Sequence, residues 1–344
     1  MELIFRQFIQ AVSIAMSYTK NYLHVVASRY RTVVSILLFS LLLFGCSDQH
    51  ADFDFDTTVK QPACNASHPK VLFDEAHNNI HKSDGTYKPF VDLIKNDGYT
   101  VAPAKSKIEP GTLKEFDIFI ISNAKGEKNK YDPAFTENEC NTIQQWVQGG
   151  GCLLLIADHY PLGSAVENLS KRFGVDMSKG FTNDPIYFDS TSYTNSRLDG
   201  KSQLVFSRTN GLLLSHPITE GRNPSEYINR IITFTGQSLK GPEGSMSLLA
   251  LSDSATDQAP DSIWEAKEWI FFSNTITRFS EPRSAAGRSQ AIALEFGKGR
   301  VVVLGEAAML TAQVAKKEKF GMNVPGIDNR QFALNIMHWL SHLL

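Results

Sequence analysis

Two stretches, "FDIFIIS" (116–122) and "CLLLIAD" (152–158), constrain the fold more than any others. Each is apolar at almost every consecutive position, so neither strand can turn one face to water. Strands of this kind belong in a parallel sheet covered by helices on both sides. The segment between them agrees. "TENECNTIQQWVQGGG" (136–151) predicts a helix that Thr136 caps, with Glu139 three residues later as a capping box and glycines as the stop. "KVLF" (70–73) and "YTVA" (99–102) predict further strands. "YKPFVDLIKNDGY" (87–99) predicts a helix with Phe90, Val91, Leu93 and Ile94 inward, and 164–174 another. Strands alternating with helices define an α/β domain.

The middle of the chain, 180–290, is rich in Ser, Thr, Asn and Gly. It carries short alternating runs such as "RIITFTG" and "SLLALSD". It predicts extra strands and long loops, either as an insertion or as an antiparallel extension of the same sheet. "QAIALEFGKGRVVVLGE" (290–306) predicts a hairpin. A last helix follows, with Asp328 placed to cap it and Phe332, Leu334, Ile336, Met337, Leu340 and Leu343 on an apolar face.

The N-terminal region speaks to location. Residues 32–45, "TVVSILLFSLLLFG", form an uncharged apolar run preceded by Arg29 and Arg31. The run is short for a membrane span, which needs roughly 20 residues, and suits the core of a secretory signal. It ends "LFGC" at Cys46, which resembles the bacterial lipoprotein signal. That resemblance implies cleavage of residues 1–45, lipidation of Cys46, and a periplasm-facing chain held by a lipid anchor. Ser47 after the Cys implies the outer membrane. An uncleaved anchor is the other reading. Residues 46–68 lack any sustained period and predict a tether, leaving 69–344 as the folded domain.

With 42% hydrophobic and 20% charged residues, the chain has globular composition, and its net charge of −2 gives no reason to expect a nucleic acid partner. Cys64, Cys140 and Cys152 remain after Cys46. They predict small buried hydrophobes, with a Cys140–Cys152 pair as the one plausible disulfide.

In an open parallel sheet the C-terminal strand ends share one edge, where ligands bind. "VLFDEAHNNIH" (71–81) delivers Asp74, Glu75, His77 and His81 there; Asp158 and His159 follow the strand at 152, and Glu306 follows the strand at 300. His77, Asp158, His159, Asp74 and Glu306 are therefore the candidate catalytic residues, as general acids and bases. His77 and His81, four apart on one helical turn, form with Asp158 a candidate divalent metal set. The competing reading makes "DEAHNNIH" a polar turn whose Asx side chains hold their own backbone.

"WVQGGGCLLLIADHY", "SHPITEG" (215–221) and "GKGRVVVLGEAAML" resemble the glutamine-amidotransferase-like superfamily, in its ThuA-like branch. "DEAHNN" and "DNRQFALNIMHWL" resemble the DUF4350-like group within it. The resemblance implies a flavodoxin-like, mostly parallel sheet with helices on both faces. The family's nucleophilic Cys does not carry over, because Cys152 begins its strand rather than following it and Cys140 lies on a helix. The expectation is an envelope lipoprotein, hydrolase-like on a small polar substrate such as a sugar or cell-wall fragment, rather than a glutamine amidotransferase. The alternative is a non-catalytic module of the same fold that binds a ligand or docks onto a complex.

Overall fold

The computed structural model describes residues 49–128, 132–190, 203–266, 274–315 and 318–344, all within the unit Gln49–Leu344. A nine-stranded sheet is its centre. In chain order the strands are β1 (Lys70–Asp74), β2 (Thr100–Ala104), β3 (Ile118–Ser122), β4 (Cys152–Ile156), β5 (Asp176–Met177), β6 (Leu239–Lys240), β7 (Met246–Ala250), β8 (Ser289–Phe296) and β9 (Gly299–Leu304). The spatial order is β2-β1-β3-β4-β9-β8-β6-β5, with β7 also paired to β8. The first five in that order run parallel; β8 turns back on β9 as the expected hairpin. The architecture is α/β and flavodoxin-like, as the two-sided apolar strands require.

Strand alternation sorts the core into two layers. Phe73, Ile120, Leu154 and Val302 pack with Phe90 and Ile94 of α1 (Lys88–Asn96) and with Phe332 and Ile336 of α3 (Asn329–Leu340). Leu72, Phe119, Leu153, Leu155 and Val303 pack on the other side with Ile143 and Val147 of α2 (Glu137–Gln148). Each fully buried side chain of this size contributes about 1.5–3 kcal/mol, and β3 and β4 between the two layers are buried at every position. The Thr136–Glu139 capping box forms as expected.

Gly150 and Gly151 after α2 and Gly299 on β9 have conformational or steric causes. Gly150 adopts φ +126°, and the backbone of Gly151 passes so close to β9 that a Cβ on Gly299 would lie 2.1 Å from the Gly151 oxygen and 2.3 Å from that of Val147. Only glycine lets the end of α2 press against the β8–β9 hairpin.

Several expectations are corrected. From Gln49 onward the stretch expected as a tether is packed on the domain. Gln49–Ala51 pairs antiparallel with Ala312–Ala315, Asn323 donates to Asp52 at 2.8 Å, Ala63 N donates to Asp97 at 2.7 Å, and Cys64 is wholly buried. Long-range hydrogen bonds fix this segment, which is why it shows no period of its own. Asp328 does not cap α3 with its side chain; its carboxylate accepts from the Asn229 and Arg230 amides instead. The helix expected over 164–174 is two short pieces, Leu162–Ala165 and Glu167–Arg172. Cys140 and Cys152 are free thiols, and they lie in opposite core layers, so they cannot meet.

The middle region does both things allowed to it. β6, β7 and β8 extend the main sheet antiparallel, while Phe181–Asn183, Thr256–Gln258 and Arg283–Ser284 form a small separate one. Among the described residues no helix is long and apolar enough to cross a membrane. The apolar run 32–45 and Cys46 lie outside the described residues.

Candidate functional site

The strand ends divide their polar side chains between the two faces of the sheet. Asp74, the last residue of β1, falls by alternation on the α2 side. The chain then bends rather than forming a helical turn, with Asn78 at φ +48°. This brings the His77 ring between two carboxylates, with Nδ1 2.8 Å from Asp74 Oδ1 and Nε2 2.9 Å from Glu139 Oε1. A ring with a carboxylate at each nitrogen is held as the imidazolium. Burial works to lower the His77 pKa, but the hydrogen bonds and charges of Asp74 and Glu139 outweigh it, and the net shift is upward. Exposure is 0% for Asp74, 2% for His77 and 4% for Glu139, so the triad is closed to ligand. Asn79 seals it by donating to Asp74 Oδ2 and the Ser122 carbonyl. Phe135 covers the ring at 4.0 Å between centroids. The group clamps the end of β1 to the start of α2.

On the opposite face a second group assembles. Ile156 and Leu304 are register partners on parallel β4 and β9, and Asp158 and Glu306, each two residues beyond the strand ends, are near enough for the charge of Asp158 to act on Glu306. Glu306 is fully buried and Asp158 partly accessible. Burial pushes the Glu306 carboxyl well up and the charge of Asp158 pushes it further, against the pull of the Ala308 and Met309 amides, which donate to it at 2.6 and 2.7 Å. Burial also raises Asp158, opposed by the charge of His159 and its backbone amide. The charge of Asp158 makes a second negative charge on Glu306 costly, so the ionisation of one carboxyl depends on the other.

Neighbouring polar groups complete this cluster. The Tyr87 hydroxyl donates to the Ala307 carbonyl at 2.7 Å; burial raises its pKa, a hydrogen bond with Ser122 opposes this, and the negative charges of Glu306 and Asp158 add to the rise. Asn123, in a left-handed conformation at φ +50°, accepts from the Asp158 amide at 2.9 Å. Ser122 Oγ faces the Tyr87 hydroxyl, and Gln290 Nε2 is buried without a hydrogen-bond partner among the described residues. Unpaired buried polar atoms are costly and mark a place where a small polar molecule gains bonds on entry. His159 stands at the rim, stacked on Phe181 at 4.4 Å, with Nδ1 donating to the Tyr160 carbonyl.

Of the five candidate catalytic residues, then, Asp158, Glu306 and His159 come together, while Asp74 and His77 belong to a separate structural clamp. The physical reason is strand parity: one sheet edge has two faces, and Asp74 emerges on the other one. The metal set also disperses. Both His77 nitrogens are occupied, and His81 turns to Thr86 Oγ1 at 2.6 Å and the Tyr87 ring, where burial lowers its pKa to about 4. Among the described residues no cluster of three or more His, Cys, Asp or Glu has the arrangement of a metal site. No described thiol is a ready nucleophile either, because burial raises Cys64, Cys152 and Cys140, the last to about 12.

Sequence reasoning missed Tyr87, Ser122, Asn123 and Gln290 at the site and Glu139 in the clamp. A signal for two of them existed: "FIIS-N" is an apolar strand ending in polar residues at the same edge. Glu139 was legible only as a helix cap.

No family model matches the chain, and no curated protein matches it. Solved structures do. The mmIFT52 N-terminal domain aligns at 12% identity over 79% of this chain and 97% of that one, with a TM-score of 0.54. A ThuA-like protein from Bacteroides uniformis aligns at 13% identity over 84% and 95%, with a TM-score of 0.40. Another ThuA-like protein, from Parabacteroides merdae, aligns at 12% identity over 79% and 90%, with a TM-score of 0.41. The first shares the overall fold with this chain; the other two are similar at a lower level.

Proposed function

We propose that this chain is an envelope lipoprotein, anchored through Cys46, whose amidotransferase-like α/β domain carries an acid–base site for a small polar substrate such as a sugar or cell-wall fragment. The apolar run 32–45 ending "LFGC" supports the anchor, and Ser47 supports the outer membrane. The chemistry rests on one observation, the Asp158–Glu306 pair at the C-terminal ends of adjacent parallel strands. Asp158, the accessible member, exchanges a proton with substrate or water, and the buried Glu306 behind it acts on how tightly Asp158 holds that proton.

A second reading has its own support. Asp74, His77 and Glu139 spend their hydrogen-bonding capacity on one another, which suits a catalytically silent binding or docking module of the same fold. The test uses full-length protein in detergent. The carboxyl groups are titrated by carbon-13 NMR, and panels of glycosides, esters and peptides are assayed beside Asp158→Asn. A two-step titration that becomes one step in the variant, with hydrolysis falling at least about 100-fold, is the expected result. A coupled titration with no turnover of any panel leaves the binding module. Independent titration of the two carboxyls removes the acid–base site.

A further inference from the structure

A cavity of about 800 Å³ runs beside α3, and none of Asp158, His159 or Glu306 lines it. Arg330, Leu334 and His338 reach it from positions four apart on the helix, a single stripe of its surface. The segment 52–61, which sequence alone reads as a tether, forms the facing wall.

Several of the charges lining this cavity have side-chain partners, and Lys60 stands exposed near Asp56. Arg222 Nε lies 3.0 Å from both Glu226 oxygens, and Asp97 accepts from His338 Nε2 at 2.7 Å and from Ala63 N at 2.7 Å. Arg330 differs. Its Nε and Nη2 donate only to the backbone carbonyls of Asp56 and Thr58, at 3.4 and 2.7 Å, and among the described residues no carboxylate pairs with it. Burial works to lower its pKa, and the charges of Asp56 and Asp97 oppose this without a direct ion pair. His338, only 2% exposed, lines the same cavity, and its Nδ1 has no hydrogen-bond partner among the described residues. Asp54 stands exposed on the 52–61 wall, while the exposed Asp56 feels the charges of both Arg330 and Lys60.

We propose that this cavity binds a small dipolar molecule of short-peptide size, its carboxylate on the Arg330 guanidinium and its ammonium against Asp54. Three guanidinium N–H groups remain after the two carbonyl bonds, and their planar fork matches a carboxylate. A simple anion meets the aspartates, and a simple cation meets the arginine; only a ligand carrying both charges is favoured by both walls. The volume lies within the range of small-molecule sites, well above what a single ion requires.

The test is calorimetric titration of the full-length protein in detergent with glycylglycine, sodium acetate and ethylamine. Saturable binding of glycylglycine, at least tenfold tighter than either singly charged probe, is expected. Arg330→Gln should weaken it by tenfold or more. Because Arg330 also ties segment 56–58 to α3, Asp54→Asn serves as a second variant at an exposed position. It should keep the melting temperature and weaken glycylglycine while leaving acetate unchanged. Asp158→Asn should bind glycylglycine normally, which separates this cavity from the strand-end site. The proposal is overturned if acetate binds as tightly as glycylglycine, if no probe binds saturably, or if both Arg330→Gln and Asp54→Asn bind as the unaltered protein does.

Discussion

Replacing His77 by leucine removes the cation from between two buried carboxylates, and the cost follows from what is left behind. Asp74 keeps bonds from Ala76 N and the Asn79 amide, and Glu139 keeps those from Thr136 and Ile108. Both carboxylates nonetheless lose their charged partner in a dry site, for which about 3–5 kcal/mol is the usual penalty. The surviving bonds place this case toward the lower end. In a domain of this size that corresponds to a fall in Tm on the order of 5–15 °C. The pH dependence carries a sign. His77 has its pKa raised above 6.5, so its contribution is complete below about 6.5 and fades as pH rises through the folded value. Glu139 is lowered from 4.5, net of a burial effect that opposes the shift, so its contribution holds above 4.5 and fades as pH falls through the folded value. The stability difference between the unaltered protein and His77→Leu should therefore peak between about pH 4.5 and 6.5. Urea unfolding followed by circular dichroism at pH 5.5, 7 and 9 measures it. A variant that melts within about 1 °C of the unaltered protein, or a difference that grows with pH, would refute the clamp.

Two further outcomes are expected. His81 is buried and its pKa is lowered from 6.5 to about 4, so it stabilises the fold above 6.5 and loses up to about 3 kcal/mol of that contribution as pH falls toward 4; His81→Gln should shrink the loss of urea midpoint between pH 7 and 4.5. Gly299→Ala places a Cβ against the Gly151 and Val147 carbonyls, backbone atoms that cannot step aside, and should cost at least about 1–3 kcal/mol by thermal melting, whereas Gly287→Ala, with open space around it, should cost only its positive-φ strain.

What the sequence determined by itself was the layering. Ile118–Ser122 and Cys152–Ile156 are apolar at consecutive positions, and that pattern has one stable solution, a parallel sheet covered twice. The Thr136–Glu139 box and the hairpin across "GKG" were likewise local, because the interactions that make them lie within a few residues. The sequence also located the edge where polar groups gather. Only the tertiary structure decided which of them meet. Asp74 and Asp158 both end strands at that edge, but side chains alternate across a sheet, and the face each takes depends on which helix covers it. His77 found Glu139 from a distant helix, Asp158 found Glu306 through strand register, and residues 49–68 were fixed by bonds to Asp97, Gln313 and Asn323 far along the chain. Pairings of that kind leave no period in the sequence, since each joins residues whose separation is set by the fold.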